Sequence, residues 1–160
     1  MESKQAESKQ AVIARFTPKA ALEAMTPQAA AAISPSLVVD GMVGIRGFPF
    51  RVGRESRGKI VDGVFHRIER PQRVPGSPTS NDLYLVDAGA MLQISREHFR
   101  IERTAAGYQI VDRGSVCGVS AGGVRIGGEE AGGTVPLRDG DEIQIGTEVT
   151  PYRYTFIVLE

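Results

Sequence analysis

The sequence predicts an all-β fold, a two-sheet antiparallel β-sandwich preceded by a short, partly helical or disordered N-terminal extension. Three observations predict it. Eight short apolar or β-branched runs follow one another from Leu37 onward, too short for helices and spaced as strands. All 19 glycines lie between Gly41 and Gly146, where turns are needed, and the first 35 residues contain none. The last run alternates, with Tyr152, Tyr154, Phe156 and Val158 on one face and Arg153 and Thr155 on the other, as a half-buried strand requires.

The extension, residues 1–35, opens with a perfect five-residue repeat, Glu2-Ser3-Lys4-Gln5-Ala6 and Glu7-Ser8-Lys9-Gln10-Ala11. It is too polar to bury anything and is expected to be mobile. Thr17-Pro18 and Thr26-Pro27 each put a hydroxyl at an N-cap and a proline at the first helical position, which predicts short helices over Lys19–Glu23 and Gln28–Ala30. The sandwich domain is expected to span residues 36–160. Its strands are read as Leu37–Val39, Phe48–Val52, Leu83–Val86, Phe99–Glu102, Tyr108–Val111, Val124–Ile126, Glu142–Ile145 and Tyr152–Leu159. The chain ends just after the last of these, and no downstream effector domain is expected.

A chain of 160 residues suits one domain with one core. Its 19 basic and 19 acidic side chains cancel, which argues against nucleic acid or an anionic membrane as partner. The charge is polarised along the chain, 12 basic to 7 acidic over residues 1–81 and the reverse over residues 82–160. A single cysteine, Cys117, cannot form an intrachain disulfide or a cysteine-based metal cluster and suits a reducing compartment. No run approaches the ~20 apolar residues of a membrane span, and the polar N-terminus lacks a signal peptide's basic-then-apolar order. A cytoplasmic protein without metal or cofactor is therefore expected.

Four short motifs stand in fixed order: Gly53-Arg54, Ser95-Arg96-Glu97-His98, Asp112-Arg113-Gly114-Ser115, and Leu137-Arg138-Asp139-Gly140-Asp141. Together, over roughly residues 36–160, they resemble a forkhead-associated (FHA) domain, the phosphothreonine-binding β-sandwich of signalling proteins. Phosphothreonine brings about −1.5 to −2 charges and three acceptor oxygens, which calls for a fixed guanidinium, a hydroxyl and backbone N–H donors. The resemblance assigns the first two to Arg54 and Ser95, on neighbouring loops, with Arg96 beside them. It gives His98 a supporting role, hydrogen-bonding within the loops without touching phosphate, and Gly53 a structural one. The loop Ser115, Val116, Cys117, Gly118 is where the family contacts the peptide backbone.

The chain departs from the family pattern twice. Cys117 stands where an asparagine amide usually grips the peptide, and Val116 where threonine is common. A thiol is a weak donor and acceptor, so altered peptide selection is expected, with loss of hydrogen bonds worth ~0.5–1.5 kcal/mol each. An insertion at about residues 55–81 carries Arg57, Lys59, Arg67, Arg70 and Arg73, with Pro71, Pro75 and Pro78 near its end. It is expected to be exposed and proline-stiffened, adding positive charge beside the ligand.

A Ser95–His98 nucleophile and base has no Gly-x-Ser-x-Gly elbow around it and no orienting carboxylate evident in sequence, so no catalytic residue is expected. Gly114-Ser115 and Gly140-Asp141 read as turn residues, and Cys117 as an inert small side chain. The resemblance thus implies a non-catalytic adaptor that binds a phosphothreonine-containing protein downstream of a Ser/Thr kinase. The alternative is a phospho-independent docking or self-association scaffold on the same fold.

Overall fold

The computed structural model describes residues 2–56, 58–67 and 81–160. In chain order the elements are α1 (Glu2–Phe16), β1 (Ala20–Ala24), α2 (Pro27–Ala32), a 3-10 turn (Pro35–Leu37), β2 (Val38–Val39), β3 (Met42–Ile45), β4 (Phe50–Arg54), β5 (Gly58–Val61) and β6 (Val64–Arg67). There follow β7 (Leu83–Leu85), β8 (Phe99–Thr104), β9 (Gly107–Asp112), β10 (Val119–Ala121), β11 (Val124–Ile126), β12 (Gly133–Leu137), β13 (Glu142–Ile145) and β14 (Arg153–Val158).

Alternation along these strands sorts side chains between a shared core and the outer surfaces. In β14, Tyr154 and Phe156 are at most 1% exposed, while Arg153 and Thr155 are half-buried. Facing them, β8 contributes Phe99 and Ile101 and β9 contributes Ile110, all fully buried. Seven strands form one sheet in the order β11-β10-β13-β14-β1-β3-β2, and five form the other in the order β12-β9-β8-β4-β7. The hairpin β5–β6 makes a separate two-stranded sheet. The expected β-sandwich is therefore the observed fold. Among the described residues all pairings are antiparallel except β4–β7, which runs parallel with Arg54 opposite Leu85.

The N-terminal segment departs from its sequence reading. Residues 19–23, expected as a helix, run into strand β1, which is buried in the seven-stranded sheet between β14 and β3. Ala20, Ala21 and Leu22 are at most 3% exposed. Alanine and leucine favour helix intrinsically, but five residues cannot sustain one alone, and pairing on both edges overrides the preference. The fit depends on small neighbours. Ala21 lies opposite Gly44, where an added Cβ would stand 2.9 Å from Pro18 Cγ.

The pentapeptide repeat, expected to be mobile, lies within α1; alanine, glutamine, lysine and glutamate are good helix formers with no glycine or proline among them. Helix α2 starts as the sequence predicts, with Thr26 Oγ1 accepting from the Ala29 N–H and Pro27 in the first turn. The same hydroxyl donates to the Pro151 carbonyl at 2.5 Å, and Tyr154 Oη donates to the Ala29 carbonyl, so α2 is tied to the sheet at both points.

Within the insertion, the turn Asp62-Gly63 has positive φ at both residues (51° and 78°), the geometry that closes a two-residue hairpin. Arg70, Arg73, Pro71, Pro75 and Pro78, like Arg57, lie outside the described residues.

Because β1 supplies a central strand, a chain starting at residue 36 is expected to lose cooperative thermal unfolding. Leu22→Ala should lower stability by about 2–5 kcal/mol in urea titration. A cooperative transition in the shortened chain contradicts this account.

Candidate functional site

The loops after β4, β7, β9 and β11 meet around a cleft of about 670 Å³. It is lined by Arg54, Ser56, Asn81, Tyr84, Ser95, Arg96, Glu97, Arg113, Gly114, Val116 and Glu130. The structure thus brings Arg54, Ser95, Arg96 and Val116 together in one cavity. Gly53, His98, Ser115, Cys117 and Gly118 stand behind or beside it.

Arg54 is the last residue of β4 and half-buried. Its backbone N–H donates to the Ser95 carbonyl at 2.9 Å, and its Nε donates to the Ile94 carbonyl at 2.9 Å. One face of the guanidinium is therefore spent on holding the group in place. Gly53, one residue earlier, lets the Arg96 carbonyl press against the strand. A Cβ there would stand against that oxygen, 2.8 Å from the carbonyl carbon and 2.7 Å from Asn81 Nδ2.

His98 is fully buried and organises the loop that carries Ser95. Its Nδ1 accepts from the Ser95 N–H at 2.9 Å. The ring proton therefore sits on Nε2, which donates to the Gly118 carbonyl at 2.6 Å. Burial pushes its pKa below the usual 6.5, against the opposing influence of the Gly118 carbonyl and the Asp112 carboxylate. The imidazole is a neutral strut.

Ser95 Oγ accepts from the Val116 N–H at 3.0 Å, joining the two loops across the cleft. Behind it, the Asp112 carboxylate accepts from the N–H groups of Gly114 and Ser115, both at 2.9 Å, and from Ser115 Oγ at 2.5 Å. Ser115 Oγ in turn accepts from the Gly118 N–H at 3.0 Å. Ser115 is thus a buried turn residue. Cys117 turns away from the cleft, its Sγ 3.6 Å from the Leu92 carbonyl, while Arg125 Nη1 donates to the Cys117 and Gly146 carbonyls. Gly118 adopts φ 79° with Ile126 O only 2.8 Å from where a Cβ would be, so only glycine fits.

Several lining residues were not singled out from sequence. Asn81, 4% exposed, donates from Nδ2 to the Arg96 carbonyl at 2.8 Å and accepts from Arg113 Nη1 at 2.6 Å. Arg113 also faces Glu97 at 3.5 Å. Glu130 reaches the cleft from the loop between β11 and β12, where Glu129 and Glu130 both have positive φ (53° and 63°). That geometry costs of order 1–3 kcal/mol per non-glycine residue. Arg113 lies within the third motif but was given no role there, and Asn81 and Glu130 belong to none of the four, so only the fold brings them to the cleft.

Among the described residues no cluster of His, Cys, Asp and Glu is placed to hold a metal ion. No helix among them is long and apolar enough to cross a membrane.

A β-sandwich whose loops converge on a cleft carrying three arginines and a hydroxyl has the charge and the donors of a recognition module for an anionic group. The family model for the FHA domain matches residues 50–146, and the chain belongs to that family. Among solved structures, it is similar to one of Mycobacterium tuberculosis EmbR in complex with a low affinity phosphopeptide, at 22% identity and a TM-score of 0.50. The match covers 97% of this chain and 30% of that one, and at this identity it speaks for the fold. No curated protein matches.

A depressed His98 pKa means that the unfolded chain takes up a proton near pH 6.5 while the folded one resists. Stability from this residue is complete above about pH 6.5 and falls below it, by up to about 1.4 kcal/mol per pH unit. NMR titration of the imidazole is expected to give a value under 6.5, with a lower urea midpoint at pH 5.5 than at pH 7.5. A value above 6.5 contradicts the neutral-strut assignment.

Proposed function

We propose that the cleft binds a phosphothreonine-bearing segment of a partner protein, and that the chain acts as a non-catalytic adaptor downstream of a Ser/Thr kinase. The observation that carries this reading is the convergence of the Arg54 guanidinium and the Ser95 hydroxyl in one cleft, each already anchored by a bond to a neighbouring loop. Arg54 uses Nε on Ile94 O, which leaves its two Nη groups to face a phosphate in the paired fashion guanidinium favours. Ser95 Oγ accepts from Val116, which leaves its own proton to donate. Arg96, exposed and without an ion pair among the described residues, adds a second positive charge.

Preorganisation gives this arrangement its strength, because ordering the arginine and the serine is done by the fold and not by the ligand. Membership of the FHA family supports the reading. So does the phosphopeptide bound by EmbR. The chemistry needed is electrostatic alone: no nucleophile, metal or cofactor takes part. Kinase activity upstream would create the ligand and a phosphatase would remove it.

Titration with phosphothreonine peptides tests the proposal. Charge-assisted hydrogen bonds contribute about 1.5–3 kcal/mol, so Arg54→Ala is expected to weaken binding roughly 10- to 100-fold. Ser95→Ala should weaken it by about threefold to tenfold, and an unphosphorylated peptide should not bind. Normal binding by both variants defeats the reading.

A further inference from the structure

The cleft contains a charge that a phosphate site has no use for. Glu130 lines it together with Arg54, Ser95 and Arg96. The second carboxylate there, Glu97, faces Arg113 at 3.5 Å, but no cation among the described residues is paired with Glu130. An exposed carboxylate beside a bound dianion, with no partner among the described residues, raises the energy of the complex unless the ligand brings a compensating cation.

Glu130 is also fixed in position. Its N–H donates to the Ser115 carbonyl at 3.0 Å and that of Glu129 to the Val116 carbonyl at 2.9 Å, which locks this loop onto the one that carries Val116. The loop runs Gly127-Gly128-Glu129-Glu130-Ala131-Gly132-Gly133, and its four glycines all have positive φ. Glu130, at φ 63°, occupies a conformation suited to glycine, so its side chain is present at a backbone cost that glycine would avoid.

We infer that Glu130 selects phosphothreonine ligands carrying a lysine or arginine close to the phosphorylated residue, so that the partner's recognition segment is basic as well as phosphorylated. This rests on the phosphate reading of the cleft. The ligand's phosphate would face Arg54 and Ser95 while its basic side chain would face Glu130, a two-point contact of opposite sign. Such an arrangement discriminates against acidic segments that bare phosphate attraction to Arg54, Arg96 and Arg113 would otherwise favour.

Fluorescence anisotropy with three phosphothreonine peptides, differing only in Arg, Ala or Glu at the flanking positions, tests the inference. Wild-type protein is expected to bind the Arg peptide about tenfold or more tighter than the Glu peptide at low salt. Glu130→Gln should reduce that ratio to threefold or less, and Glu130→Lys should reverse it. Each ratio is taken within one protein, so a partly unfolded preparation does not mimic the effect. Equal affinities for the wild type, preference for the Glu peptide, or an unchanged ratio in Glu130→Gln overturns the inference while phosphate dependence stands. If no peptide binds in a phosphate-dependent way, the phosphate reading falls and the inference with it.

Discussion

The cleft depends on one buried, neutral imidazole. His98 connects the Ser95 N–H to the Gly118 carbonyl through its ring, while its own N–H donates to Val52 O and its carbonyl accepts from the Arg113 N–H. Four chain segments are thereby fixed relative to one residue: strand β4, the Ser95 loop, the end of β9 and the approach to β10. Each such bond is worth only about 0.5–1.5 kcal/mol net, but losing one partner leaves a buried polar group unsatisfied at about 1–3 kcal/mol. Protonation would add a second donor where Nδ1 must accept, which is why burial and function point to the same uncharged form.

Two carboxylates extend this organisation outward. Asp87, largely buried, accepts from the N–H groups of Gly89, Gln93 and Ile94 and from Tyr152 Oη. The phenol, desolvated and bound to that carboxylate, has its pKa pushed up to about 12 and stays protonated. The loop so shaped presents the Ile94 carbonyl to Arg54 Nε, so an arginine at the end of β4 is aimed by an aspartate in the loop after β7. Asp112 does the corresponding work for residues 113–118, and a Cβ at Gly127 would strike its carboxylate. Neither aspartate lines the cleft, yet both determine its shape.

Sequence pattern reached much of this. Val124–Ile126 and Glu142–Ile145 coincide with β11 and β13, and the alternation in β14 gives the buried face correctly, because half-buried strands write their geometry in period two. Strand β1 was not legible, since Ala20–Ala24 reads as helix until β14 and β3 are there to pair with it. The hairpins β2–β3 and β5–β6 are written in the chain as Asp40-Gly41 and Asp62-Gly63, the dipeptides such turns require, with positive φ throughout. In the cleft, Arg54, Ser95 and Arg96 stand out through motif order, whereas Asn81 and Glu130 belong to none of the four motifs and reach the cleft only through folding. Cys117, read as a loss of peptide contact, faces the Leu92 carbonyl instead of the cleft.

The parallel pairing of β4 with β7 has an architectural consequence. Asp82 N–H donates to Arg51 O, Glu55 N–H donates to Leu85 O, and Arg51 and Asp82 are joined by further side-chain bonds. The chain therefore leaves the sandwich at Glu55 and re-enters it at Asp82 through a single clamp, two neighbouring strands already held in register. The clamp makes the stretch between Ser56 and Asn81 a socket: with those two cleft residues kept, what stands between them can be exchanged, for a reporter or for a different charge, while the strands on either side keep Arg54 where it is.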